Sequence, residues 1–280
     1  MRDFTNDHSA LALNTATLGH NLDGYGAGWS AEQVIDACAA RGYGGITFWC
    51  RELGNRAQSI GERVRTSGMQ VAGLCRTPYF TGSQAGTDDE IRFSIEMAAQ
   101  LGSRVLTIVT GGTDPQTKGT LESQKRLSDR LSRAAEWAGE VDVSLALEPL
   151  NPMFGGNRTC IMTVADALNV CDMVDSAYLG IAVDVYHVWW DNTLHESLGK
   201  ARHKILGYHL CDWLEDTHDM LLDRGMMGDG VADLKAIRKS VEMAGYAGLR
   251  EVEIFSAYNW WRKPVDDVLD EVLRRFRQFA

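Results

Sequence analysis

Four side chains in the second half of the chain could together hold a metal ion. Each stands near the C-terminal end of a short apolar run: Glu148, Asp184, His209 and Glu253. Three carboxylates brought within a few ångströms would repel one another unless a cation neutralised them. Oxygen-rich ligation with a single imidazole nitrogen suits Mn²⁺, Mg²⁺, Co²⁺ or Zn²⁺. The residue types therefore predict one divalent metal ion, but they do not choose among these four.

Taken singly, each residue also has an ordinary structural explanation. Glu253 could pair with an inward arginine or lysine, His209 could be a hydrogen-bonded core histidine, and Asp184 could cap a loop. The metal interpretation depends on all four occupying the same height on successive strands.

The elements that would position these side chains alternate regularly along the chain. Short β-branched runs predict strands over residues 11–18, 44–49, 70–76, 104–110, 143–150, 181–186, 205–212 and 249–255. Helical patterns fall over residues 30–41, 54–68, 88–101, 118–139, 163–175, 193–202, 233–244 and 265–278. This alternation indicates βαβ units with a parallel sheet, in the α/β class. Eight strands favour a single (β/α)₈ TIM barrel, with one domain over 1–280. A doubly wound sheet is the alternative, but no Gly-x-Gly-x-x-Gly follows the first strand.

Side-chain parity in the later strands shows which residues should face the barrel interior. Val143, Leu145 and Leu147 alternate with Ser144, Ala146 and Glu148, and the eighth strand sets Val252 and Ile254 against Glu251 and Glu253. We expect the large aliphatic residues to pack under the outer helices. An inward carboxylate then needs a charge partner or a bound cation.

Composition narrows the function classes. The net charge of −10, without a run of lysine and arginine, argues against binding DNA or RNA. Neither an apolar signal core at the N-terminus nor a stretch near ~18 apolar residues is present, so we expect no secretion signal and no contact with a membrane. The six cysteines are scattered without a Cys-x-x-Cys pair, which is typical of reduced thiols in a cytoplasmic protein.

Five segments resemble the xylose-isomerase-like barrel superfamily of sugar phosphate isomerases and epimerases, which includes ketose 3-epimerases and inosose isomerases. They are residues 145–152 (LALEPLNP), 183–187 (VDVYH), 208–212 (YHLCD), 228–230 (GDG) and 251–254 (EVEI). The resemblance is strong in the second half of the chain. The first half matches mainly in its rhythm of strands and helices.

The resemblance implies a specific chemistry. One divalent ion, with Mn²⁺ favoured, would be held by Glu148, Asp184, His209 and Glu253, and Glu148 and Glu253 would act as the acid/base pair. A metal that chelates a carbonyl and its neighbouring hydroxyl makes the adjacent C–H acidic enough for a carboxylate base. The substrate would be a small sugar, ketose or inosose-like polyol, isomerised or epimerised through an enediolate.

Six further residues are candidate substrate contacts. The resemblance implies that His187 and Arg224 contact substrate oxygens, although His187 could bond a local carbonyl and Arg224 could be a solvated surface residue. Six of the eight tryptophans follow strand ends, and indoles stack on sugar C–H faces. Among them Trp49 and Trp260 are the stacking candidates, the alternative being packing under loops. Asn14 and Arg76 stand near the ends of strands one and three and could reach the substrate, while Arg76 could instead neutralise a carboxylate.

Other functions remain open on the residues alone. A lyase, such as an inosose dehydratase, would share the first chemical step but expel a leaving group. A nuclease of the same superfamily would need more histidines near the site and a more basic surface. A non-catalytic partner subunit would not retain buried acids that cost stability. No Gly-rich phosphate cradle follows strands seven and eight, which favours an unphosphorylated substrate. The aromatic loops at the mouth of the barrel are compatible with a homo-oligomer.

Overall fold

Eight parallel strands close into one barrel in the computed structural model, which describes residues 3–5, 7–116 and 119–279. The strands are β1 (Leu11–Asn14), β2 (Gly45–Trp49), β3 (Gln70–Cys75), β4 (Val105–Ile108), β5 (Ser144–Leu147), β6 (Leu179–Asp184), β7 (Ile205–Leu210) and β8 (Arg250–Val252). Each pairs with the next, and β8 pairs with β1, which closes the sheet. The predicted (β/α)₈ fold is confirmed.

Helices connect successive strands and cover the outside of the barrel. They are α1 (Ala31–Ala40), α2 (Cys50–Leu53), α3 (Ala57–Thr66), α4 (Asp88–Leu101), α5 (Thr120–Glu140), α6 (Val164–Val174), α7 (Val185–Val188), α8 (Leu194–Ala201), α9 (Leu234–Met243) and α10 (Val265–Phe279). Several begin where the sequence supplies a reciprocal cap. Thr87 accepts a hydrogen bond from the backbone N–H of Glu90, whose carboxylate accepts one from the N–H of Thr87. No helix in the described part of the chain has the length and apolarity needed to cross a bilayer.

Seven of the eight predicted strands end earlier than the residue pattern indicated, and in two of them a capping side chain explains the end. The strand predicted over 11–18 stops at Asn14, whose side-chain oxygen accepts the N–H of Ala16 and starts a 3₁₀ turn over Thr15–Leu18. The strand predicted over 181–186 stops at Asp184, which caps α7 by accepting the N–H of Tyr186. In both cases a short polar side chain bonds to the backbone two residues on and bends it out of the sheet.

The predicted parity of the later strands agrees with the burial. Val143, Leu145 and Leu147 are buried in the hydrophobic core, while Glu148 lies on the other parity and faces the barrel interior. The pairing register places these polar residues at the same level along the barrel axis, because Asp184 pairs with His209 and His209 pairs with Glu251. The polar residues of β6, β7 and β8 therefore lie side by side at the C-terminal end of the barrel.

Candidate metal centre and substrate cavity

The four residues expected to hold a metal lie together at the C-terminal ends of β5 to β8. One ligand atom from each of Glu148, Asp184, His209 and Glu253 lies within 4.8 Å of the others, and all four side chains are buried. Backbone bonds continue the barrel ladder past the strand ends: the N–H of Glu148 donates to Ile108 O (2.9 Å), and the N–H of Glu253 donates to Leu210 O (3.1 Å). The sheet itself thus fixes the positions of both glutamates.

Two positively charged side chains offset the three carboxylates. His209 Nδ1 lies 3.0 Å from Glu148 Oε1 and 3.9 Å from Glu253 Oε2. Arg224 Nη1 donates to Asp184 Oδ2 at 3.0 Å and lies 3.5 Å from Glu253 Oε2. A set of three carboxylate oxygens and one imidazole nitrogen is a donor set that divalent cations prefer, so the buried group could bind a metal.

Burial and mutual repulsion shift the pKa of each acid in this group. Burial raises the pKa of Glu148, and burial together with the charge of Glu148 raises the pKa of Glu253 to about 8. Burial alone would raise the pKa of Asp184, but Arg224, His187, His209 and the backbone N–H of Tyr186 together outweigh burial and lower that pKa. Burial alone would lower the pKa of His209, but Glu251 and Glu148 raise it well above its usual range. A bound divalent cation would reverse the shifts of the glutamates and the histidine, since ligands bind as deprotonated groups.

Asn14 hydrogen-bonds to the carboxylates of Glu251 and Glu253. Its Nδ2 donates to Glu251 Oε1 (2.6 Å) and Glu253 Oε1 (2.9 Å), and its Oδ1 accepts from Trp49 Nε1 (2.8 Å) and the N–H of Ala16 (3.0 Å). An amide offers two donors and two acceptor lone pairs, so these four bonds use the whole side chain. Asn14 therefore has no bond left for a substrate, contrary to the sequence-based expectation, and instead orients Glu253.

Glu251 is a fourth buried carboxylate that the sequence interpretation did not assign to the site. Besides Asn14 it accepts a hydrogen bond from Thr47 Oγ1 at 2.6 Å, and it lies 3.9 Å from His209 Nε2. The sequence feature that could have identified Glu251 is its position two residues before Glu253, which places both side chains on the same face. Cys75 also lies within 4.8 Å of both glutamates, but burial raises the pKa of its thiol well above its usual range. The group around Glu148 offers four ligands rather than three, so it is the better metal site.

Arg224 and His187 form one wall of the site. Arg224 is only 2% exposed, which excludes the alternative of a surface arginine, and its guanidinium carbon lies 4.3 and 4.2 Å from the ring centroids of Tyr186 and Phe255. His187 Nδ1 accepts the backbone N–H of Asn151 at 3.2 Å. Burial lowers the pKa of His187 to about 3, so the ring is neutral. Its Nε2 lies 3.4 Å from Arg224 Nη2.

A cavity lies against the group of Glu148, Asp184, His209 and Glu253. Its walls combine the acids Glu148 and Glu253 with cationic and aromatic side chains. Among the predicted substrate contacts it is lined by Trp49, Arg76, His187 and Arg224. The structure places Trp260 elsewhere: its ring lies beneath Lys263, with Nζ 3.7 Å from the ring centroid, beside a different depression. The turn that follows β8 directs this indole away from the cavity.

Sequence reasoning missed several residues of the cavity wall. Phe154, Arg158 and Leu221 reach it from long loops, and Tyr79 reaches it from the loop after β3. Loop residues have no periodicity, so no pattern indicated that they would turn inward.

Comparisons with known proteins show the family and agree with the fold. The family model described as "Xylose isomerase-like TIM barrel" matches residues 35–279. The chain is 22% identical to the L-ribulose-5-phosphate 3-epimerase UlaE of Shigella sonnei over 236 residues, which is 81% of this chain and 76% of that protein. A solved protein of Sinorhizobium meliloti 1021 is 36% identical, with a TM-score of 0.88 over 97% of this chain and 98% of the other.

More distant structures share the fold. The IolI protein, solved with a bound zinc atom, has a TM-score of 0.81 at 20% identity, over 96% of this chain and 97% of the other. The D-allulose 3-epimerase from Methylomonas sp., solved with D-allulose, has a TM-score of 0.74 at 18% identity, over 97% of both chains.

Proposed function

Because this chain belongs to the xylose isomerase-like TIM barrel family, we propose that it isomerises or epimerises a sugar, ketose or inosose-like polyol with the help of one divalent metal ion. The observation that carries the proposal is the buried group of Glu148, Asp184, His209 and Glu253, whose ligand atoms lie within 4.8 Å of one another. Two members of this group, Glu148 and Glu253, line a cavity. The curated relatives are named as epimerases of a ketose phosphate, which supports the reaction class.

In this proposal Glu148, Asp184, His209 and Glu253 would hold the metal ion, which would supply Lewis acidity for a substrate carbonyl oxygen. Glu148 and Glu253 exchange protons with the substrate carbon. They stand just after β5 and just after β8, three strands apart around the barrel, so they approach a substrate from different sides. Removal of a proton by one glutamate and its return by the other would invert a carbon centre.

The cavity wall orients the substrate. His187 and Arg224 line the same cavity as Glu253, and their ring and guanidinium nitrogens can hydrogen-bond to substrate hydroxyl or carbonyl groups. Trp49 is held by its bond to Asn14 and presents its ring to the cavity, where it can pack on an apolar sugar face. Its bond to Asn14 couples the position of this ring to that of Glu253.

The test is metal analysis followed by a screen of ketoses in deuterated water, with Mn²⁺ as the first ion. We expect metal-dependent formation of an epimer or isomer that carries one deuterium, whereas a lyase would release water or an alcohol. Glu148→Gln should lower turnover by about 10²–10⁴-fold while the protein remains folded. The exposed Glu62→Gln on α3 is the matched control and should behave like the wild type. Full activity of Glu148→Gln would contradict the acid/base assignment.

A further inference from the structure

Two arginines in the wall of the cavity have no acidic partner. Arg76 follows β3, and Arg158 lies in the loop between β5 and α6. Within the described residues, neither guanidinium lies within 4.0 Å of a carboxylate oxygen. The third arginine of the cavity, Arg224, differs because Asp184 and Glu253 neutralise it.

Both arginines are held in place by aromatic rings rather than by acids. The guanidinium carbon of Arg76 lies 4.4 Å from the ring centroid of Tyr79, and that of Arg158 lies 5.8 Å from the centroid of Phe154. A guanidinium that packs against a ring keeps the N–H groups at its edge free to donate. Arg76 uses one of them on the carbonyl of Thr77 (3.1 Å). No side-chain hydrogen bond from Arg158 is formed within the described part of the chain.

Backbone hydrogen bonds fix Arg158 close to the wall that Arg224 and His187 form. Its N–H donates to Phe154 O (3.0 Å), and its carbonyl accepts the N–H of Gly111, in the loop after β4 (3.0 Å). Phe154 in turn packs edge-on against His187, with ring centroids 5.7 Å apart. Arg158 and His187, a proposed substrate contact, therefore both pack against the ring of Phe154.

We infer that Arg76 and Arg158 bind an anionic group of the substrate, a phosphate ester or a carboxylate. The inference rests on the proposed function, because it assigns the reacting carbon of the same substrate to Glu148 and Glu253. The acidic residues among those lining the cavity are these two glutamates, so the charges of Arg76 and Arg158 are left to pair with a ligand. Planar guanidinium groups bind two oxygens of a phosphate or carboxylate at once. This anion site would use side chains, which explains why no Gly-rich backbone cradle is needed.

The experiment compares matched ligands on the metal-loaded protein. A ketopentose, its terminal phosphate ester and a keto-uronate are titrated calorimetrically into the wild type, Arg76→Met, Arg158→Met and the double variant. Methionine keeps the aliphatic packing on the aromatic ring but removes the charge. Arg104→Met is the control, because Arg104 is exposed near the opposite end of the barrel and pairs with Asp142.

We expect at least one anionic ligand to bind the wild type tenfold or more tightly than the neutral ketose. Each single substitution should weaken that ligand at least tenfold and the neutral ketose less than threefold. Preference for the ester identifies phosphate, and preference for the keto-uronate identifies carboxylate. Equal affinity for all three ligands, or affinities unchanged in the double variant, would overturn the inference.

Turnover of the same ligands separates this inference from the proposed function. If an anionic ligand binds in an arginine-dependent way but is not epimerised or isomerised, the anion site stands and the reaction assignment fails. If the neutral ketose is converted as fast as the anionic ligands, and the arginine variants match the wild type, the reaction stands and the anion site fails.

Discussion

Removal of the charge of Arg224 should destabilise the metal-free protein strongly and the metal-loaded protein less. In the variant Arg224→Met, Asp184 would lose its 3.0 Å ion pair while remaining fully buried. Breaking a buried pair by removing one partner costs about 3–5 kcal/mol, which is a factor of roughly 10²–10⁴ in the unfolding equilibrium constant. Typical domains have about 5–15 kcal/mol in total, so we expect the variant to fold.

Urea unfolding of metal-free and metal-loaded protein measures the effect. A divalent cation bound between Asp184 and Glu253 would take over the neutralisation that Arg224 provides, so added metal should stabilise Arg224→Met more than the wild type. Arg104→Met, which breaks the exposed pair with Asp142, should cost less than about 1 kcal/mol. A loss below about 1 kcal/mol in metal-free Arg224→Met, or an equal loss with and without metal, would refute this reasoning.

Three further predictions concern the same site. Metal affinity should fall as the pH falls below about 8, because the raised pKa values of Glu253 and His209 leave both groups protonated in the metal-free protein. The expected loss is roughly tenfold per pH unit for each proton that the metal displaces. Calorimetry in buffers of different ionisation enthalpy counts the released protons, and a metal affinity independent of pH would contradict this prediction. Asn14→Ala should lower kcat and metal affinity at least tenfold with little change in KM, because Asn14 orients Glu253; a rise in KM alone would indicate direct substrate contact. Saturating substrate should change the fluorescence of Trp49 but not that of Trp260, which is measured in Trp49→Phe and Trp260→Phe; loss of the signal in Trp260→Phe would contradict the placement.

The fold and the grouping of the acids could be predicted because both follow from periodic patterns. A strand has a side-chain period of two, so one inward residue on β5 or β8 fixes the facing of the others. Parallel strands also place their C-terminal ends at the same edge. Glu148, Asp184, His209 and Glu253 therefore had to converge once the strands were correctly assigned.

The surroundings of the acids could not be predicted in the same way. Asn14 was expected to reach the substrate because it stands at a strand end, but its side chain points to Glu251 and Glu253 on the neighbouring strand. Trp260 and Arg158 depend on loop conformation, which one hydrogen bond or one packed ring can redirect. The burial of Arg224 follows from the rings of Tyr186 and Phe255, which come from α7 and from the segment after β8 and share no sequence pattern.

Substitutions at the strand-anchored glutamates and substitutions in the loops of the cavity wall should have different effects on function. Glu148 and Glu253 are tied to the ladder bonds of neighbouring strands, whereas Arg76, Arg158 and Leu221 reach the cavity from loops that the ladder does not include. A lineage could therefore replace or lengthen these loops and acquire a new substrate preference without disturbing the ion-binding floor. Sequence differences among relatives at the rim should accordingly track what each protein recognises, and differences at the floor should track whether it remains an enzyme.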